Sequence, residues 1–80
     1  ELKLYPNPST GYVNIELTGI NLNQPAEYKV FNTIGEIKTY GILNAEIKTL
    51  DFTYLHPGAY TIQVTTIDGG VLYGKFIIIK

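Results

Sequence analysis

Apolar and polar residues alternate along most of this chain with the two-residue period of strands packed on one side, and nowhere with the 3.6-residue period of a helix. The cleanest run is Tyr12 to Thr18, where Val13, Ile15 and Leu17 share one face and Asn14, Glu16 and Thr18 the other. Glu1 to Tyr5 alternates in the same way and is stopped by Pro6-Asn7-Pro8-Ser9-Thr10-Gly11. Each proline there pushes the residue before it toward extended geometry, while Asn7, Ser9 and Gly11 supply turn chemistry. A third strand is predicted over Ala26 to Asn32, with Tyr28 and Val30 inward and Glu27 and Lys29 outward. Phe31 falls on the outward parity, so that end of the strand must twist or be covered. Asn32-Thr33-Ile34-Gly35 reads as a turn, Glu36 to Tyr40 as a short fourth strand, Gly41 to Asn44 as a connection and Ala45 to Thr53 as the fifth strand. Tyr60 to Ile67 is the sixth strand and Val71 to Ile79 the seventh, joined by Asp68-Gly69-Gly70, whose Asp-Gly pair signals a tight hairpin. Gly19 to Pro25 is a breaker-rich loop under which Ile20 and Leu22 are expected to tuck.

The stretch from Leu50 to Val64 organises the rest. Pro57 has no N–H and a fixed φ, and Gly58 tolerates positive φ, so the pair makes a corner at which one strand ends and another begins. Leu50, Phe52 and Leu55 supply apolar groups before it. Tyr60, Ile62 and Val64 follow on one face, with Ala59, Thr61, Gln63 and Thr65 on the other. A Leu-x-Pro-Gly-x-Tyr corner is similar to the tyrosine corner of immunoglobulin-like sandwiches, whose hydroxyl bonds to backbone upstream. Seven short strands with turn signals at regular spacing therefore predict an all-β fold, a seven-stranded immunoglobulin-like antiparallel β-sandwich.

Composition narrows what such a fold can do. Eighty residues make one domain with a thin core, since a chain of this size hides only about 60% of its unfolded surface. No cysteine is present to staple it, and no Cys or His cluster suits a structural metal, so burial must carry the stability and neither cofactor nor metal is expected. Six lysines, no arginine and a net charge of −1 exclude a nucleic-acid interface, which needs a basic stripe and bidentate arginine contacts. The scattered lysines instead discourage edge-to-edge pairing of strands. No run is long and apolar enough for a transmembrane segment, and no charged n-region precedes an apolar stretch at Glu1. Glu1 is not an initiator methionine, so the chain reads as a piece of a longer protein.

Four stretches stand in a telling order: Tyr5-Pro6-Asn7-Pro8, then Val30-Phe31-Asn32-Thr33-Ile34-Gly35, then Leu50-Asp51-Phe52 with Leu55-His56-Pro57-Gly58-Ala59-Tyr60, and finally Gly74-Lys75-Phe76-Ile77-Ile78-Ile79-Lys80. In that order, and over essentially the whole chain, the sequence resembles the C-terminal sorting domains of proteins exported by the type IX (Por) secretion system of Bacteroidetes-type bacteria. The resemblance implies a sandwich at the C-terminus of a secreted or cell-surface protein, with an attached cargo domain on its N-terminal side. It implies that the domain is itself the export address, passing through the periplasm, recognised by outer-membrane secretion machinery and open to removal by a surface sorting peptidase. Pro6, Asn7, Pro8, Gly35, Leu55, Pro57, Gly58 and Tyr60 are the family-motif positions, and each also has a structural role of its own at a turn, a corner or the core edge.

The end of the chain is the least ordinary part. In Phe76-Ile77-Ile78-Ile79 both parities are apolar, whereas a strand at an open edge normally carries charge, so something must cover one face. Neighbouring parts of the same domain or a partner can do so. The partner reading places translocon recognition on Lys75, Phe76, Ile77, Ile78, Ile79 and Lys80, through the strand edge or its face. His56, the sole histidine, has no cysteine or acid pair near it in sequence and supports no catalytic or metal site, and no nucleophile–base set suggests an enzyme. Asp51 and Asp68 read as strand-end and turn residues. Tyr40, Tyr54 and Tyr73 are candidates by parity for a sugar-stacking platform, which keeps a second functional class open: a fibronectin type III-like or carbohydrate-binding accessory module of an extracellular enzyme.

Overall fold

The alternation resolves into seven antiparallel strands in two sheets, in a computed structural model that describes residues 1–19 and 24–80. The strands are β1 (Leu2–Tyr5), β2 (Tyr12–Leu17), β3 (Ala26–Phe31), β4 (Ile37–Leu43), β5 (Ile47–Asp51), β6 (Gly58–Thr65) and β7 (Val71–Ile78), with no helix among the described residues. One sheet has the order β1-β2-β5 and the other β4-β3-β6-β7. The expected tucking of Ile20 and Leu22 lies outside the described residues.

The two sheets pack as a sandwich because each offers one apolar face. Val13, Ile15 and Leu17 of β2 are buried against Val30 of β3, Tyr60, Ile62 and Val64 of β6, and Phe76 and Ile78 of β7. Burying a side chain of this size contributes about 1.5–3 kcal/mol, and these residues must supply most of the driving force in a chain that has no cysteine to form a disulfide. Four rings run through the core at the corner end: Tyr28 meets Phe52 edge-on at 6.3 Å, Phe52 stacks on Phe76 at 5.4 Å, and Phe76 stacks on Tyr60 at 5.5 Å.

Several strand boundaries differ from the alternation, and the ends of β4, β5 and β6 have local causes. β4 does not stop at Tyr40 but continues through Leu43, and Gly41 lies inside it, opposite Tyr28. A Cβ on Gly41 would come within 2.7 Å of the Tyr28 ring, so the glycine is there to leave the ring its room. β5 ends at Asp51 because the Asp51 carboxylate accepts the Thr53 N–H at 2.9 Å and hydroxyl at 2.6 Å and turns the chain. Phe52 therefore enters the core from a turn, and its N–H donates to the Gly11 carbonyl at 2.8 Å. β6 starts at Gly58 and ends at Thr65, where the Asp68-Gly69 hairpin is already closing through Thr66 and Gly70. Half-buried Phe31 sits beside a register shift between Val30 and Phe31, the twist its outward parity called for.

Candidate functional site

After β1 the chain leaves its sheet and runs along the outer edge of β7. The Tyr5-Pro6 and Asn7-Pro8 peptide bonds are both cis in this segment. Asn7 uses both ends of its side-chain amide on the strand edge: Nδ2 donates to the Lys75 carbonyl at 2.9 Å, and Oδ1 accepts the Ile77 N–H at 3.0 Å. Two residues on, the backbone takes over. The Ser9 N–H donates to the Ile77 carbonyl at 2.8 Å, and the Ile79 N–H donates to the Ser9 carbonyl at 2.7 Å, a short parallel pairing centred on Ile78. Ser9 is fully buried, and its hydroxyl is satisfied by donating to the Tyr12 carbonyl and accepting the Gly11 N–H. The Pro-Asn-Pro-Ser stretch thus closes an edge that would otherwise present bare N–H and C=O groups from Lys75 to Ile79.

The doubly apolar end of β7 is accounted for on one face only. Phe76 and Ile78 are core residues, each 1% exposed, whereas Ile77 and Ile79 remain 46% and 48% exposed. Of the six residues that the sequence nominated for recognition, Lys75, Ile77, Ile79 and Lys80 are therefore the ones a partner could touch in the folded chain. The Lys80 ammonium donates to the Thr53 carbonyl, which ties that end back to the turn before the corner.

The corner itself is built as its sequence implies. The Tyr60 hydroxyl donates to the His56 carbonyl, four residues upstream, at 2.5 Å. Leu55 is buried beneath the turn, and the His56 side chain, Pro57 and Gly58 lie at the surface. Gly35 holds φ at +86° in the β3–β4 turn, a conformation that costs other residues energy. There the Asn32 carboxamide oxygen accepts the N–H groups of Ile34 and Glu36, and its nitrogen donates to the Glu36 carboxylate at 2.8 Å.

These pieces meet. A groove of about 380 Å³ at the corner end of the four-stranded sheet is lined by Asn7, by Asn32 and Thr33 of the β3–β4 turn, by Ala59 and Thr61 of β6, and by Lys75 and Ile77 of β7. Each of the four stretches that carry the family resemblance contributes to it. Proximity along the chain offers no hint of this, because Asn7 lies 68 and 70 residues from its partners on β7.

The tyrosine platform is not assembled. Tyr40, Lys29, Gln63 and Tyr73 form one row across the outer face of the four-stranded sheet, so two strands separate Tyr40 from Tyr73. The Tyr54 hydroxyl donates instead to Thr39, which points to the opposite face of β4 from Tyr40. The Tyr28 phenol is raised above its ordinary pKa by burial and, secondarily, by Tyr54. Asp51 and Asp68 are lowered, chiefly by the hydroxyls of Thr53 and Thr66 respectively, in keeping with turn roles. Among the described residues no group of three His, Cys, Asp or Glu side chains could hold a metal ion, and no helix is long and apolar enough to cross a membrane.

A search of curated proteins gives no match. Residues 3–80 match the family described as the secretion system C-terminal sorting domain, so the match takes in all four motif stretches, the groove they line and the strand whose edge they close. The chain belongs to that family of type IX secretion sorting domains.

Proposed function

We propose that this chain is a non-catalytic export address that takes a cargo attached on its N-terminal side across the outer membrane through the type IX system. Membership of the sorting-domain family over residues 3–80 carries the reading. The placement of the motifs supports it, because a signal read at the surface needs a rigid, recognisable shape, and all four motif stretches contribute to the groove beside β7. Recognition by the secretion machinery then falls on the exposed side chains of the last strand, Lys75, Ile77, Ile79 and Lys80, with Phe76 and Ile78 holding that strand in place from below. Removal of the domain by a surface peptidase, or its retention as an anchor, follows export.

The test is a fluorescent protein with an N-terminal signal peptide and this chain at its C-terminus, expressed in a bacterium that has the system. The fusion is expected in the medium or on the cell surface, and deletion of residues 75–80 should leave it in the periplasm. Because that deletion also removes two core side chains, the paired substitution Lys75→Ala with Lys80→Ala serves as the folded control, and its retention would place recognition on the lysines. Normal export of the truncated fusion would remove the sorting reading and leave an accessory binding module as the better account.

A further inference from the structure

The groove has a chemistry of its own, and the inference drawn from it rests on the sorting reading. We propose that it binds an acidic peptide segment of the secretion partner, with an aliphatic side chain lying over Ala59 and Ile77 and a carboxylate meeting Lys75. Ala59 and Ile77 are directly opposed on neighbouring strands, as are Thr61 and Lys75, so an apolar patch and a cation-plus-hydroxyl pair lie side by side on one surface. Lys75 is the sole charged residue among those lining the groove. Among the described residues the one ion pair is Lys38–Glu36, and none of their acids is paired with Lys75. Glu36, in the turn that supplies Asn32 and Thr33 to the groove, is held by the Asn32 carboxamide and by Lys38.

That charge selects the class of occupant. A lone ammonium beside a hydroxyl and an apolar floor complements one carboxylate next to an aliphatic group. A phosphorylated or nucleic-acid ligand would call for several converging donors and for arginine, which the chain lacks. The walls are fixed before binding: Asn7 is locked by its two bonds to β7, and Asn32 by its bonds within the turn. A preformed site loses little conformational freedom on binding. Its volume lies at the small end of the roughly 300–1,000 Å³ of ligand sites, room for a short stretch of chain rather than a large molecule.

The experiment uses the isotope-labelled chain and two blocked tetrapeptides, Gly-Val-Glu-Gly and Gly-Val-Gln-Gly, followed by amide chemical shifts. The Glu peptide should shift Thr33, Thr61, Lys75 and Ile77, more weakly at high ionic strength, and the Gln peptide should bind roughly fivefold more weakly, as for loss of one exposed charged contact. Lys75→Gln should abolish the preference. Equal binding of the two peptides, or shifts spread evenly over Lys3, Lys29 and Lys48, would overturn the proposal. In the export assay Lys75→Glu should reduce secretion at least severalfold while Lys29→Glu, elsewhere on the same face, leaves it unchanged. Normal export of the folded Lys75→Glu fusion would sink the groove proposal alone, whereas failure of the unaltered fusion to leave the periplasm would sink the sorting reading beneath it.

Discussion

The side chain of Asn7 does for Ile77 what a neighbouring strand would do, accepting its N–H at 3.0 Å while donating to the carbonyl two residues earlier. Asparagine is suited to this because its carboxamide carries a donor and an acceptor at nearly the spacing of a peptide group. Asn7→Ala should therefore destabilise the fold by about 1–2 kcal/mol, the net value of two partly exposed hydrogen bonds. Amide exchange locates the effect: the Ile77 N–H should exchange faster in the variant, while the Ile79 N–H, held by Ser9, changes less. Unchanged exchange at Ile77 would mean that solvent serves it equally well.

Tyr60 combines an anchor with a core ring, and its two parts can be separated. Tyr60→Phe removes the bond to the His56 carbonyl and should cost about 0.5–1.5 kcal/mol, whereas Tyr60→Ala also empties the space against Phe76 and should cost about 3 kcal/mol or more. Denaturation midpoints give both values, and a Tyr60→Phe variant as stable as the parent would show the hydroxyl to be idle.

Gly41 is predicted to be intolerant for a steric reason. Gly41→Ala pushes a methyl group into the Tyr28 ring, which is also packed edge-on against Phe52 and so is not free to swing away. Overpacking should outweigh the gain in strand propensity and destabilise by about 1–2 kcal/mol. In a double-mutant cycle with Tyr28→Ala most of that cost should vanish, and simple additivity would argue against the clash.

Acid should weaken the fold through Asp51 and Asp68. Both carboxyls titrate lower in the folded chain than the ordinary value of about 3.9, so their contribution is present above that pH and is lost as pH falls through the folded values. The parent should therefore lose more stability between about pH 6 and about pH 3 than the Asp51→Asn, Asp68→Asn double variant does. Equal loss in urea titrations of the two would show that the turn carboxylates do not matter.

Period-two alternation was enough to place all seven strands and the inward residues of β2 and β6, because side-chain parity in a strand is a local property. Strand ends were less legible. The continuation of β4 past Gly41 depends on a tyrosine thirteen positions earlier in the chain, and the early end of β5 depends on a side-chain bond that competes with the ladder. The doubly apolar β7 was recognisable as needing cover, and the structure divides the answer: Asn7 and Ser9 close its edge, the core takes Phe76 and Ile78, and Ile77 and Ile79 stay open. The resemblance found the motifs, but the groove they form together was invisible, since it is made by strand register and not by spacing. The same register separates Tyr40 from Tyr73.

The pairing of Asn7 and Ser9 with residues 75 to 79 also sets when this fold can exist. A chain emerging from the ribosome in N-to-C order can make the β3–β4 hairpin early, but the partners of its Pro-Asn-Pro stretch appear about seventy residues later. Closing so long a loop is entropically costly and is repaid only when the last strand docks, which favours a late, all-or-none final step. A product that stops short of Ile79 lacks that step, so the folded domain forms only once the chain has been made through its last strand.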